Sequence, residues 1–239
     1  MFCHKCGKEL IAEAVFCPYC RTKAVLAAGN TDSPKTTIAD TQIGSTNIEK
    51  AEELVEKACE LRDDGKYQEA IRVFNEAIKL DPSNGDLYLL RGDVYKKWEK
   101  YDDAIRDFSE AIKLDPSNAD LYMARGLIYD ELGDDENIIK DFSEAIKLDP
   151  SHESIARWYV YRGTAYQGLE NYEDATRDFN EAIRLDPLDA STYDIRGTMY
   201  FLLDDFENAI KDFTEAVRLD PDNKEYRKTL KKVKRAIRW

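Results

Sequence analysis

Four of the five cysteines stand in two Cys-x2-Cys pairs, Cys3/Cys6 and Cys17/Cys20, ten residues apart. Each pair presents two sulfurs from one tight knuckle, and together they supply the four soft ligands that tetrahedral zinc takes. Gly7 lets the backbone turn away after the second ligand, and Pro18 stiffens the second knuckle. So short a segment cannot fold on hydrophobic burial, so one bound Zn2+ would supply most of its folding free energy. Four cysteines leave no open position for water, which points to a structural rather than a catalytic ion. A redox dithiol or a disulfide pair is the alternative reading of the same spacing. His4 lies between ligands and is read as solvent-facing. Cys59, the odd cysteine, reads as a small apolar filler, and Glu56, Glu60 and Asp63 around it disfavour its thiolate.

A second set of residues recurs. Arg91, Arg125, Arg162 and Arg196 each precede a glycine, and each has a later aspartate just before a phenylalanine: Asp107, Asp141, Asp178 and Asp212. An earlier unit lacks both members, with Lys57 and Val73 in their places. Joint presence and joint absence predict a repeated, partly buried Arg–Asp ion pair that fixes helix register. The competing reading is an arginine row lining a ligand groove, since arginine is also a common recognition residue.

Both readings need elements to hold the side chains, and the chain builds them by repetition. Leu-Asp-Pro recurs with its proline at Pro82, Pro116, Pro150, Pro187 and Pro221, at spacings of 34, 34, 37 and 34. Each proline follows Phe-x-x-Ala, as in Phe74/Ala77 and Phe108/Ala111, and four units carry Tyr-x-x-Arg-Gly-x-x-Tyr, as in Tyr88 to Tyr95. Tyr88, Arg91, Gly92 and Tyr95 share one helical face, and Ala104, Phe108, Ala111 and Ile112 share another. Proline closes the unit, and Asn118 or Ser117 can cap the next helix. One helix pair cannot bury its own stripe, so stability requires stacked neighbours.

The pattern resembles the tetratricopeptide repeat family, which implies an all-α solenoid of helix-turn-helix units over residues 49–223. Five repeats are read: 51–84, 85–118, 119–155, 156–189 and 190–223. Three extra residues fall between Pro150 and Arg162, where they lengthen a loop or a helix start. Repeat three departs further: Asp135 stands where Tyr67, Tyr101, Tyr172 or Phe206 stands elsewhere, and Ile138 replaces a small alanine, which predicts altered packing. Residues 1–26 resemble the small zinc-ribbon family in Phe2-Cys3-x-x-Cys6-Gly7 and Phe16-Cys17-Pro18-x-Cys20, with Arg21 where a second glycine is usual. Residues 27–48 read as a flexible linker. In 224–239, Tyr226, Leu230, Val233 and Ile237 form one apolar helical face opposite lysines and arginines, as expected of a capping helix.

The net charge of −13 is unevenly spread. Residues 51–223 hold 21 Lys and Arg against 42 Asp and Glu, a net −21, and residues 224–239 hold eight against one, a net +7. No apolar run approaches the ~18 residues of a membrane span, and no secretory signal is visible, so a cytoplasmic protein is expected. No nucleophile–base pair or phosphate loop is discernible, so catalysis is not expected. In a solenoid of this kind the first helices line the concave face. The groove would then be formed by Val55, Cys59 and Arg62; Leu89, Asp93 and Lys96; Met123, Leu127 and Asp130; Val160, Thr164 and Gln167; and Asp194, Thr198 and Phe201. These do not reproduce the Lys/Asn/Arg set with which some relatives grip a C-terminal carboxylate. The expected function is an interaction scaffold taking an extended or helical peptide, with basic segments favoured by the acidic body. The alternative is nucleic-acid association through the ribbon and basic tail, opposed by the −21 body. The tail could also dock on the acidic body of another copy.

Overall fold

A computed structural model describes residues 38–236. They form eleven helices: α1 (Ile38–Asp63), α2 (Tyr67–Leu80), α3 (Gly85–Lys97), α4 (Tyr101–Leu114), α5 (Ala119–Leu132), α6 (Asp135–Leu148), α7 (Ile155–Gly168), α8 (Tyr172–Leu185), α9 (Ala190–Leu202), α10 (Phe206–Leu219) and α11 (Lys224–Ala236). No strand occurs among the described residues. The chain divides into units 1–44 and 45–239; only residues 38–44 of the first are described, and the second carries the repeats. The helical segment α1 takes in residues 38–48 of the expected linker, where Gly44 is the only helix breaker. Cys3, Cys6, Cys17 and Cys20 lie outside the described residues.

Each first helix from α3 to α9 packs on its own second helix and on the second helix before it. The second helices supply the core. Phe74, Phe108, Phe142, Phe179 and Phe213 are all buried, with Ala70, Ala104, Ala175 and Ala209 beside them. The glycine after each arginine admits that ring: a Cβ on Gly92 would lie 2.6 Å from the Phe108 ring. Closing the short turn between helices demands one left-handed residue, and Gly65, Glu99, Gly133, Glu170 and Asp204 occupy it with φ between 58° and 76°. Only two of the five are glycine, so the other three carry backbone strain.

The start of each later repeat is set by a side chain two residues past the proline. Asn84, Asn118 and Asp189 accept from the backbone N–H two residues on, at 3.1 Å each. After Pro150 the same place is held by His152, whose Nδ1 accepts from the Ser154 N–H at 3.0 Å. Its ring stacks on Trp158 with centroids 4.3 Å apart, and its Nε2 lies 3.3 Å from Asp120 Oδ1. Trp158 is buried where other repeats have Leu87 or Leu121, so the extra residues form a ring-stacked corner. Both the loop and the helix take part: residues 149–154 replace the four-residue connections elsewhere, and α7 starts one residue earlier relative to its arginine. In repeat three Ile138 fills the alanine's place in the core, and the Asp135 carboxylate lies directly against Gly168. The Phe142 ring stacks on Tyr161 at 5.1 Å. At the C-terminal end, Val233 of α11 is buried against Phe213, with Leu230 beside it.

Candidate partner-binding groove

Repeats two to five are each braced by an arginine. The Arg91 Nε and Nη2 donate to the two Asp107 oxygens at 2.7 and 2.6 Å. Arg125 meets Asp141 at 2.8 and 2.7 Å, Arg162 meets Asp178 at 2.7 and 2.8 Å, and Arg196 meets Asp212 at 2.7 Å twice. These are parallel two-pronged pairs, the geometry that gives charge-assisted hydrogen bonds their specificity. The third nitrogen of each guanidinium crosses to the preceding repeat: Nη1 donates to Asn75 at 2.5 Å, Ser109 at 2.8 Å and Ser143 at 3.0 Å, and from Arg196 to Asn180. One side chain therefore ties three helices together. Tyrosine rings at 5.3 to 6.0 Å cover the guanidiniums as cation–π partners. Burial opposes the charge on Arg91, Arg162 and Arg196, and the paired aspartates outweigh it, so their pKa values rise above the ordinary arginine range. For Arg125 the Asp141 hydrogen bond dominates, with the same outcome.

The third-arm acceptors were not among the expected residues. Their signal is present in the sequence, since each is a short polar residue immediately after the core phenylalanine. Its meaning depends on the next repeat's arginine, which stacking sets opposite it.

The expected groove residues lie on the first helices and divide into two kinds. Leu89 packs against the Phe108 cluster, Met123 and Leu127 against the Phe142 cluster, and Val160 against the Phe179 cluster. Phe201 packs against the Phe213 cluster, and its ring contacts Phe206 at 5.7 Å. The apolar members are therefore half-buried extensions of the core. The polar members face outward to differing degrees: Asp130, Thr164 and Thr198 are exposed, and Asp93, Lys96, Gln167 and Asp194 are half-buried. Thr164 and Thr198 donate to their own helix, at the carbonyls of Val160 and Asp194, both at 2.9 Å. In repeat one, Val55 and Cys59 are half-buried, and Arg62 pairs with Asp63 at 2.8 Å.

Two side-chain polar atoms among the described residues are buried without a hydrogen-bond partner: Gln167 Oε1 and Asp194 Oδ1. Both belong to the expected groove. Burial raises the Asp194 pKa above the usual carboxylate range. Two open cavities of about 530 Å³ lie elsewhere, around Tyr95 and against the second helices, and none of the twelve residues from Leu89 to Phe201 lines either.

Stacked helix pairs braced in this way define an α-solenoid repeat protein. Family models described as TPR or tetratricopeptide repeats match residues 59–98, 99–133, 119–152, 156–189 and 195–223, and the chain belongs to that family. A zinc-ribbon domain model matches residues 2–20. Solved structures agree on the fold. YrrB, described as a TPR protein with an unusual peptide-binding site, is 22% identical at TM-score 0.67, covering 81% of this chain and 98% of its own. MamA from Desulfovibrio magneticus is 21% identical at TM-score 0.67, covering 73% and 97%. A tetratricopeptide repeat protein from Parabacteroides merdae is 20% identical at TM-score 0.69, covering 77% and 72%.

Among the described residues no helix is long and apolar enough to cross a membrane, and no group of three or more potential metal ligands occurs. The N-terminal donor set, four cysteines in two knuckles, fits a tetrahedral zinc ion by its chemistry.

Proposed function

We propose that this chain is a non-catalytic interaction scaffold that takes a partner peptide, extended or helical, along the first-helix face. The supporting observation is a contrast inside the repeat. The framework positions recur almost unchanged, from Arg91/Asp107 to Arg196/Asp212, whereas the equivalent face positions read Leu89, Met123, Val160 and Asp194. A constant frame presenting a changing surface is the arrangement that selects one ligand sequence along its length. Cys3, Cys6, Cys17 and Cys20 would hold one Zn2+, which when bound cross-links the two knuckles; the cysteines' part is to donate thiolates, which suits a reducing cytoplasm. The exposed lysines of α11 offer a surface for an acidic partner, including another copy's acidic body.

Because Leu89 and Phe201 also support the core, the blocking substitutions are placed at exposed positions, Thr164→Trp and Thr198→Trp. Full-length protein is used as bait in an extract of its native cell, and partners are compared across wild type and the two variants. Loss of the same partners in both variants supports the groove. Identical recovery from all three proteins refutes it.

A further inference from the structure

The two unpartnered buried atoms say something about the ligand. Native proteins pair nearly all buried polar atoms, so an exception calls for a physical reason. Here the exceptions number two among the described residues, and both fall on the proposed binding face rather than in the core. Gln167 Oε1 is a neutral acceptor on α7. Asp194 on α9 is the more informative, because an ionised carboxylate buried without a cation is costly. It also breaks a row: the same place in the three preceding repeats is Leu89, Met123 and Val160. An apolar residue therefore fits that site on this frame, and the carboxylate is not required by the fold.

No ion pair or hydrogen bond to a cation reaches its buried Oδ1. Burial is the cause of the raised Asp194 pKa, with no cation acting on it. Tyr226 of α11 lies within electrostatic reach, since its own pKa is pushed up by burial first and then by the charge of Asp194. Asp189 and Asp220 add to the negative field at Tyr226. A half-buried carboxylate with an unpartnered oxygen has the composition of a site for an ammonium or guanidinium group.

The geometry points to Asp194 as a specificity residue of the groove: it receives a lysine or arginine side chain of the bound peptide at the C-terminal end of the solenoid. This rests on the proposed groove and names the chemistry of its ligand. The site is vacated by no protein cation on binding, so the free protein carries the desolvation penalty and the ligand relieves it.

The test uses the full chain and a phage-displayed library of random 12-residue peptides. Wild-type protein should enrich peptides with lysine or arginine at one position. A synthetic copy of an enriched peptide should bind Asp194→Asn about ten- to a hundredfold more weakly, while its norleucine analogue should bind wild type and variant alike. Asp194→Val, which restores the residue type of Val160, should raise Tm by about 2–4 °C. Peptides that are blocked by Thr198→Trp but show no cation preference, or bind Asp194→Asn equally well, overturn the assignment and leave the groove standing. A lowered Tm for Asp194→Val also overturns it, because the carboxylate would then be paired within the fold. No enrichment, or enrichment indifferent to Thr164→Trp and Thr198→Trp, defeats both the groove and the assignment.

Discussion

The arginine brace makes a prediction sharp enough to fail. Consider Arg125, whose side chain is 16% exposed, and Asp141, whose side chain is 2% exposed. Replacing Arg125 by methionine keeps much of the aliphatic volume and removes three hydrogen bonds, two to Asp141 and one to Ser109. Asp141 is then left as a buried, uncompensated carboxylate, which costs about 3–5 kcal/mol. The reverse change, Asp141→Leu, should cost less, about 2 kcal/mol, because Arg125 keeps Ser109 and can turn its head toward water. Removing both charges together leaves no unpaired ion, so Arg125→Met/Asp141→Leu should sit within about 1–2 kcal/mol of wild type. The assay is urea unfolding followed by circular dichroism at 222 nm, with the double-mutant cycle giving the coupling energy. If the single changes simply add, to within about 0.5 kcal/mol, the two residues do not act as a pair and the brace is refuted. Ser109→Ala tests the third arm by itself. It should cost about 1–2 kcal/mol, the range for a hydrogen bond to a charged group, and should weaken the coupling between repeats two and three.

Gly92→Ala forces a Cβ to within 2.6 Å of the Phe108 ring, whereas Gly197→Ala meets its nearest atom at 3.1 Å. Both should destabilise by overpacking, about 1–3 kcal/mol, with Gly92 the worse, and equal thermal shifts would contradict the packing. Glu170→Gly relieves a left-handed non-glycine residue (φ 58°) and should raise Tm slightly; a fall would mean the side chain contributes more than the strain costs. Because burial raises the folded-state pKa of Asp194, its contribution to stability is present below the unfolded-state pKa and lost as pH rises through the folded one. The Tm advantage of Asp194→Asn should therefore be largest near pH 7 and shrink on acidification, and a pH-independent difference would refute this origin. The purified chain should carry one zinc ion by elemental analysis, and Cys17→Ser should abolish it while leaving the helical circular dichroism of the repeats intact.

Much of this is legible in the sequence. The 34-residue period, the phenylalanine and alanine of each second helix and the closing proline are local signals that each repeat states again, so the helix pairs and their stacking follow from the chain alone. The joint occurrence of Arg91 with Asp107 and its three counterparts also announced a pair, because an isolated buried charge would not be tolerated once, let alone four times. Four other matters were decided only by tertiary structure. The third arm of each arginine reaches a residue whose neighbour is set by stacking, as with Ser109 and Arg125, and no local pattern links the two. His152 standing in for a capping asparagine depends on Trp158 folding back beneath its ring. Glu99, Glu170 and Asp204 enter the left-handed region because the helix pair must close there, against their own backbone preference. By sequence Asp194 is one groove residue among fifteen. Whether a carboxylate is solvated, paired or left waiting for a cation depends on what packs around it, and that is a property of the fold rather than of the residue's place in the sequence.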